Sequence, residues 1–286
     1  RSLENPTTLR DVSVARKAPP TVTGVFGAYT NNGTWAAGFG HMNTFRDDTI
    51  RYLGAVAYAS VITDFYVLDR PFEFNLEGYM VYQDVKFRIA GSNWFLGAAL
   101  SFLDASNEFS VKPPDPQDAE LTGFFATEFR DVGIKGRVMY ETRDDTMMPG
   151  RGRLFDLSVV SNREFLGGDY DYTTVKAKFL SFHALGQRFV LGLRGEYSTV
   201  SGDPPFYAVP WVVLRGIPAM RFQGRDVAVA EIEGRYNLHE NWAMVAFYGR
   251  GWTDINQPEF ETGERIRAFG LGGRWKALKS QGVWVG

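Results

Sequence analysis

"QRFVLGLRGEYST", residues 187–199, alternates strictly. Phe189, Leu191, Leu193, Gly195 and Tyr197 share one side of an extended chain, while Arg188, Gly192, Arg194 and Glu196 share the other. A period of two means a β-strand with one oily face and one charged face. The same division recurs in "DYTTVKAKFLSF" (171–182), with Val175, Ala177 and Phe179 opposite Thr174, Lys176 and Lys178. In "GYMVYQDVKFRI" (78–89), Tyr79, Val81, Val85, Phe87 and Ile89 oppose Asp84, Lys86 and Arg88. In "GIKGRVMYETR" (133–143), Ile134, Val138 and Tyr140 oppose Lys135, Arg137 and Glu141. A soluble sandwich would alternate in the same way, so the period gives an all-β chain without choosing its solvent.

Segment length and the placement of aromatics make that choice. Strands of soluble sheets run about 5–6 residues, whereas these segments reach the roughly 9–11 residues of a tilted strand crossing a bilayer. Trp35, Tyr79, Trp94, Tyr140, Tyr197, Trp242 and Trp275 stand near the ends of oily faces, as in the aromatic girdles of membrane barrels. Short turns ("IAGSN" 89–93, "ALGQR" 184–188, "NLHEN" 237–241) alternate with long polar loops at roughly 62–72, 105–131 and 200–225. The reading is an all-β, transmembrane antiparallel β-barrel of the bacterial outer membrane. A mean hydropathy of -0.21 agrees with it, because a polar lumen dilutes each strand's lipid-facing half.

Strands are expected near 21–30, 34–44, 48–62, 72–89, 93–105, 132–143, 152–163, 170–183, 187–199, 226–237, 241–254, 265–276 and from about 281. Single-chain bacterial barrels have even strand numbers, since every edge in lipid must be paired. The expectation is therefore about 14 strands when complete, with 12 or 16 as alternatives and a closing C-terminal strand missing. Residues 1–20, "RSLENPTTLRDVSVARKAPP", read as a periplasmic N-terminal segment ahead of a barrel over 21–286.

Composition excludes several functions. With 31 Lys+Arg against 33 Asp+Glu, the chain lacks the basic footprint of a nucleic-acid binder. It has no cysteine, hence no disulfide and no thiolate metal site, and His41, His183 and His239 stand apart from one another. No Gly-x-Ser-x-Gly elbow occurs, and "FGLGGRW" (269–275) lacks dinucleotide spacing and sits on a strand. Neither an enzyme nor a metal or organic cofactor is expected.

"WVVLRGIPAMRFQGRD" (211–226) places Leu214, Arg215, Gly216 and Ile217 in a long loop, with Arg221 and Gly224 returning the chain to the next strand. This "LRGI", followed by an E-x-R strand, resembles the loop-six signature of the bacterial surface antigen superfamily. That superfamily comprises barrels of outer-membrane protein assembly, of two-partner secretion and of patatin-like autotransporters. Four further stretches resemble family motifs in order: "YETRDDTMMPGRG" (140–152, with Glu141, Arg143, Asp144, Pro149 and Gly152), "EFLGGDYDY" (164–172), "AEIEGRYNL" (230–238) and "MVAFYGRGW" (244–252).

The resemblance implies that loop six folds into the lumen and that Arg215 pairs with Glu233, with Glu231 and Arg235 on the same inward face as further latch partners. The family's F-x-D-x-G motif is matched by Phe247, Gly249 and Gly251, so its acid is absent. Either Glu231 takes its place or the loop is held more loosely. Strands beginning within two dozen residues leave no room for POTRA receptor domains, which suggests a branch without them. Alternation also puts Arg250 on the lipid side, to be relieved by a bulge, a position near the interface or a subunit contact.

Three roles are then expected: outer-membrane protein or lipid-related biogenesis and translocation, a gated passive channel with a lumen lined by Lys86, Arg88, Lys135, Arg137, Lys176, Lys178 and Arg194, or a structural barrel. The partners are outer-membrane lipids, with client membrane proteins or a homodimer mate as further candidates.

Overall fold

The computed structural model describes residues 19, 21–67, 70–111, 121–122, 127–254, 264–278 and 283–285. The lead-in expected over 1–20 lies, apart from Pro19, outside them. In chain order the strands are β1 (Val22–Tyr29), β2 (Trp35–Phe45), β3 (Ile50–Val67), β4 (Arg70–Arg88), β5 (Trp94–Val111), β6 (Leu121–Thr122), β7 (Thr127–Glu141), β8 (Gly152–Asn162), β9 (Tyr172–Leu185), β10 (Phe189–Gly202), β11 (Asp226–His239), β12 (Trp242–Asp254), β13 (Glu264–Leu278) and β14 (Val283–Val285). One antiparallel sheet runs through them in sequence order, with the two-residue β6 off the path and paired only to β5. No α-helix occurs among the described residues.

The two faces of this wall differ as the alternation requires. On β11, Val227, Val229, Glu231, Glu233 and Arg235 are buried, while Ala230, Ile232 and Tyr236 between them are exposed. Phe87, Leu96, Ile134, Leu193, Ile232 and Met244 present large apolar side chains outward, whereas Asp84 and Glu141 are buried inward against cations. In water this arrangement would be inside out; in lipid the outer face is solvated by acyl chains and the inner charges pair across strands.

Two aromatic belts bound the outer face. Beside the short turns, Trp94 packs on Tyr140 at 5.0 Å between ring centroids and Trp242 lies 6.2 Å from Trp275. At the other end, Trp35 packs on Tyr58 at 5.5 Å, and Tyr58 is the register partner of Tyr79.

The sequence reading errs where strands leave the lipid. The loop expected at 62–72 is instead a continued hairpin, in which Ile62 to Val67 pair with Asn75 to Arg70. Strand β5 likewise runs on to Val111, into the loop expected at 105–131. At 18 or 19 residues, β3, β4 and β5 exceed what a bilayer needs, so their far ends project beyond it.

If the exposed face meets acyl chains, Ile232→Arg should destabilise the barrel by about 2–4 kcal/mol, the cost of a cation near the bilayer midplane. Urea-titrated unfolding in vesicles measures this; an unchanged midpoint would mean that the face does not contact hydrocarbon.

Candidate functional site

Residues 203–225 connect β10 to β11 as a folded unit. A single 3-10 turn, Phe206–Ala208, leads into a narrow hairpin held by Gly224 N–H to Pro210 O at 3.0 Å and Val212 N–H to Phe222 O at 3.0 Å. The Gln223 amide donates across it to Phe206 O at 2.8 Å. At the tip, Ile217 N–H reaches Leu214 O at 3.2 Å, and Gly216 adopts φ +78°, a left-handed backbone that favours glycine.

The hairpin lies flat on the inner face of the wall. Val212 and Leu214 are buried with Val227 and Val229 of β11 and Ile266 and Ala268 of β13, and Ile217, Phe222 and Phe247 pack around them. Glycines in β12 make this possible. A Cβ at Gly249 would come within 2.6 Å of Leu214 Cδ2, and one at Gly251 would collide with Val212. A Cβ at Gly224 would likewise strike Thr253 and Asp254 of the wall.

At the tip, Arg215 donates through Nη2 to Glu231 Oε1 at 3.0 Å and also to Glu233 Oε2. Its guanidinium stacks 4.4 Å from the Phe247 ring centroid. Both glutamates are more than nine-tenths buried, so unpaired they would carry a large desolvation cost. Three cations converge on them: Arg215; Arg194, whose Nη1 is 3.9 Å from Glu231 and whose Nη2 donates to Val213 O at 3.1 Å; and Arg274, 2.8 Å from Glu233. A cavity of about 320 Å³ beside them is lined by Arg143, Met148, Pro149, Arg194, Arg215 and Glu233.

Most of the residues singled out from the sequence therefore meet at one place. Leu214, Arg215, Gly216 and Ile217 form the tip, Glu231 and Glu233 receive it, and Phe247, Gly249 and Gly251 form the floor beneath it. At the place of the missing acid, Glu231 bonds Arg215, and Leu214 fills the space that a side chain at position 249 would occupy.

One residue departs from the expectation. Arg235 is inward but does not join the latch; its Nη2 donates to Pro149 O in the β7–β8 turn, 2.8 Å away. Arg221 is exposed, its guanidinium 5.3 Å over Phe222.

Sequence reasoning missed Arg274, the loop-backbone contact of Arg194, and a second anchor. Buried Asp131 of β7 accepts hydrogen bonds from Tyr172 Oη at 2.6 Å, Asn162 Nδ2 at 2.5 Å and, from the loop, Tyr207 Oη at 3.2 Å. Burial, and then the carboxylate of Asp131, push the Tyr207 phenol above its ordinary range, so it remains a neutral donor. Phe206 stands edge-on to Phe74 at 4.5 Å, and Tyr207 stacks on Phe129 at 5.0 Å. The inward alternation of β13, with Ala268, Gly270 and Gly272 preceding Arg274, was the available signal for that arginine; nothing local signals the Asp131–Tyr207 pair. Among the described residues no three His, Asp or Glu side chains cluster as metal ligands do.

A wall oily outside, charged inside and belted twice by aromatics, with a long loop tied to its inner face, defines an outer-membrane β-barrel protein. Residues 91–208 match the Omp85 superfamily domain, and over that stretch the family resemblance seen in the sequence is borne out. The matched stretch ends before Leu214. The fold resembles the crystal structure of BamA from Haemophilus ducreyi lacking POTRA domains 1-3, with a TM-score of 0.61 and 13% identity over 90% of this chain and 58% of that one.

Looser likenesses are to OmpT, an outer-membrane protein of Vibrio cholerae (TM-score 0.41, 10% identity, 89% of this chain and 94% of that one), and to the beta domain of the Bordetella autotransporter BrkA (TM-score 0.37, 12% identity, 89% and 96%). Neither superposes closely enough to carry an argument. The chain spans little more than half of the BamA chain it matches. No curated protein matches it.

The glycine floor gives a direct test. Gly251→Ala places a methyl against Val212 and should destabilise the seated loop by about 1–3 kcal/mol, the usual cost of overpacking. Trypsin cleavage after Arg221 in the folded protein should accelerate, and adding Val212→Ala should restore resistance. A Gly251→Ala protein as resistant as wild type would mean that the loop is not seated there.

Proposed function

We propose that this chain forms the wall of a closed outer-membrane barrel of about 14 strands, whose 203–225 loop folds into the lumen as a plug. We further propose that the barrel serves outer-membrane protein or lipid-related biogenesis and translocation. The observation that carries the reading is the seating of Arg215 on the buried pair Glu231 and Glu233. A loop merely solvated at the surface needs neither a glycine floor nor two buried carboxylates at its tip. The superfamily domain over 91–208 supports the biogenesis class over an unrelated pore.

A gated passive channel is the second reading. It is favoured by a cavity of about 300 Å³ behind the loop, lined by Lys135, Arg137, Lys176 and Lys178 against Asp156 and Glu196. Cations exceed anions there, which would favour anionic solutes once the plug moved.

Planar-bilayer conductance and client insertion separate these. The wild-type protein should be nearly silent, and Arg215→Ala should open frequent ion-conducting events by removing the tip's charge anchor. Arg215→Lys should close the lumen only in part, because an ammonium cannot reproduce the guanidinium's contact with two acids and a ring. Insertion of a client barrel into proteoliposomes by the wild type supports the biogenesis role. A wild-type protein that conducts steadily and inserts nothing supports the channel. Silence in both wild type and Arg215→Ala contradicts the plug.

A further inference from the structure

Arg250 of β12 and Arg267 of β13 stand directly opposite each other in the strand register. Alternation puts both on the outer face. On β12 the exposed neighbours are Trp242, Met244, Tyr248 and Trp252; on β13 they are Phe269, Leu271 and Trp275. Side chains directly opposite in an antiparallel pair have Cβ atoms about 4.5–5.5 Å apart, and like charges so placed repel. Among the described residues, neither guanidinium has an ion-pair or hydrogen-bond partner. Two arginines on a lipid-facing surface, side by side and uncompensated, call for an anion supplied from outside the chain.

Their depth says which anion. Trp242 and Trp252 lie at opposite ends of the apolar stretch of β12. Ten residues at about 3.4 Å each, tilted by about 40°, span roughly 25 Å, the height of a barrel's apolar band. The Trp242 end follows a short turn from His239, so the Trp252 end borders the long loops. Arg250 is one outward position inside Trp252, about 5 Å below the upper belt. At that depth the backbone is still among acyl chains, but a long arginine side chain extends upward past the belt to reach the headgroups. Paired guanidinium groups present forked donors that match phosphate oxygens bidentately.

We infer that Arg250 and Arg267 together form a binding site for the phosphate of a lipid headgroup in the leaflet bordering the long loops. The site is on the opposite face of the wall from the Arg215 latch, so it stands or falls independently of the plug. Of the three ways sequence analysis offered to relieve Arg250, this selects the position near the interface and adds a cationic partner that the sequence reading did not notice.

The test uses the protein refolded in phosphatidylcholine vesicles containing either spin-labelled phosphatidic acid or spin-labelled phosphatidylcholine, with the motionally restricted lipid quantified by electron spin resonance. Wild type should favour phosphatidic acid by about thirtyfold, the preference two interfacial arginines supply. Arg250→Gln/Arg267→Gln should bring the ratio near one. Arg153→Gln, which removes an exposed cation beside the β7–β8 turn, should leave the preference unchanged. Heat-modifiable gel mobility confirms that each variant is folded, and the wild-type comparison needs no variant.

No preference in wild type, or one that survives the double substitution, overturns the site. So does detergent-solubilised wild type binding inorganic phosphate through these arginines while showing no lipid preference, which would make the ligand a free anion. Loss of the preference on dimerisation of the wild type would assign the pair to a second copy of the chain and equally overturn the lipid site.

Discussion

Two carboxylates buried side by side organise the inner face of this wall. Glu231 and Glu233 are successive inward residues of β11, and buried acids in a narrow space are tolerated only with cations at hand. The cations come from three distant parts of the chain: Arg194 from the preceding strand, Arg274 from β13 and Arg215 from the loop between. The loop is therefore not fastened to a finished surface. It adds a third guanidinium to an electrostatic site that the strands supply with two, and its backbone at Val213 is held by Arg194, whose guanidinium also faces Glu231.

The same site extends toward the other end of the wall. Arg274 bonds Glu233 and lies 3.8 Å from the Met148 sulfur, while Arg235 bonds Pro149 O. The β7–β8 turn is thus tied to the inner face directly below the loop tip, and Glu233 is linked by one arginine on each side. At the opposite end, Tyr207 and Asp131 fix the loop where it leaves β10. The loop is pinned at both tip and base, and the glycine floor of Gly249 and Gly251 lets the stretch between lie close to the wall.

How much of this the sequence discloses depends on range. Alternation is local and survives tertiary context, so the inward charges of β7, β9, β10 and β11 and the outward apolar rows could be read residue by residue. The Arg215 and Glu233 pairing was legible only because a family pattern connected them. The errors lie where local signals mislead. Arg70 and Pro71 look like loop residues, yet they pair with Val67 and Tyr66 because backbone hydrogen bonding, not side-chain pattern, governs strands above the lipid. Arg235 was assigned to the correct face but the wrong partner, since a carbonyl 86 residues away leaves no trace in the pattern. The Asp131–Tyr207 contact, over 76 residues, is illegible for the same reason.

The seating of the loop on the inner wall can be measured in living cells. The chain has no cysteine of its own, so Leu214→Cys/Gly249→Cys introduces a single pair at the point where Leu214 lies on the β12 floor. The account requires a spontaneous disulfide in the oxidising periplasm-facing compartment, visible as a reductant-sensitive mobility change after denaturation, and its absence when cysteine is placed instead at outward-facing Tyr248. A folded double-cysteine barrel in which both thiols stay free and label from outside would contradict a loop bound to the inner wall.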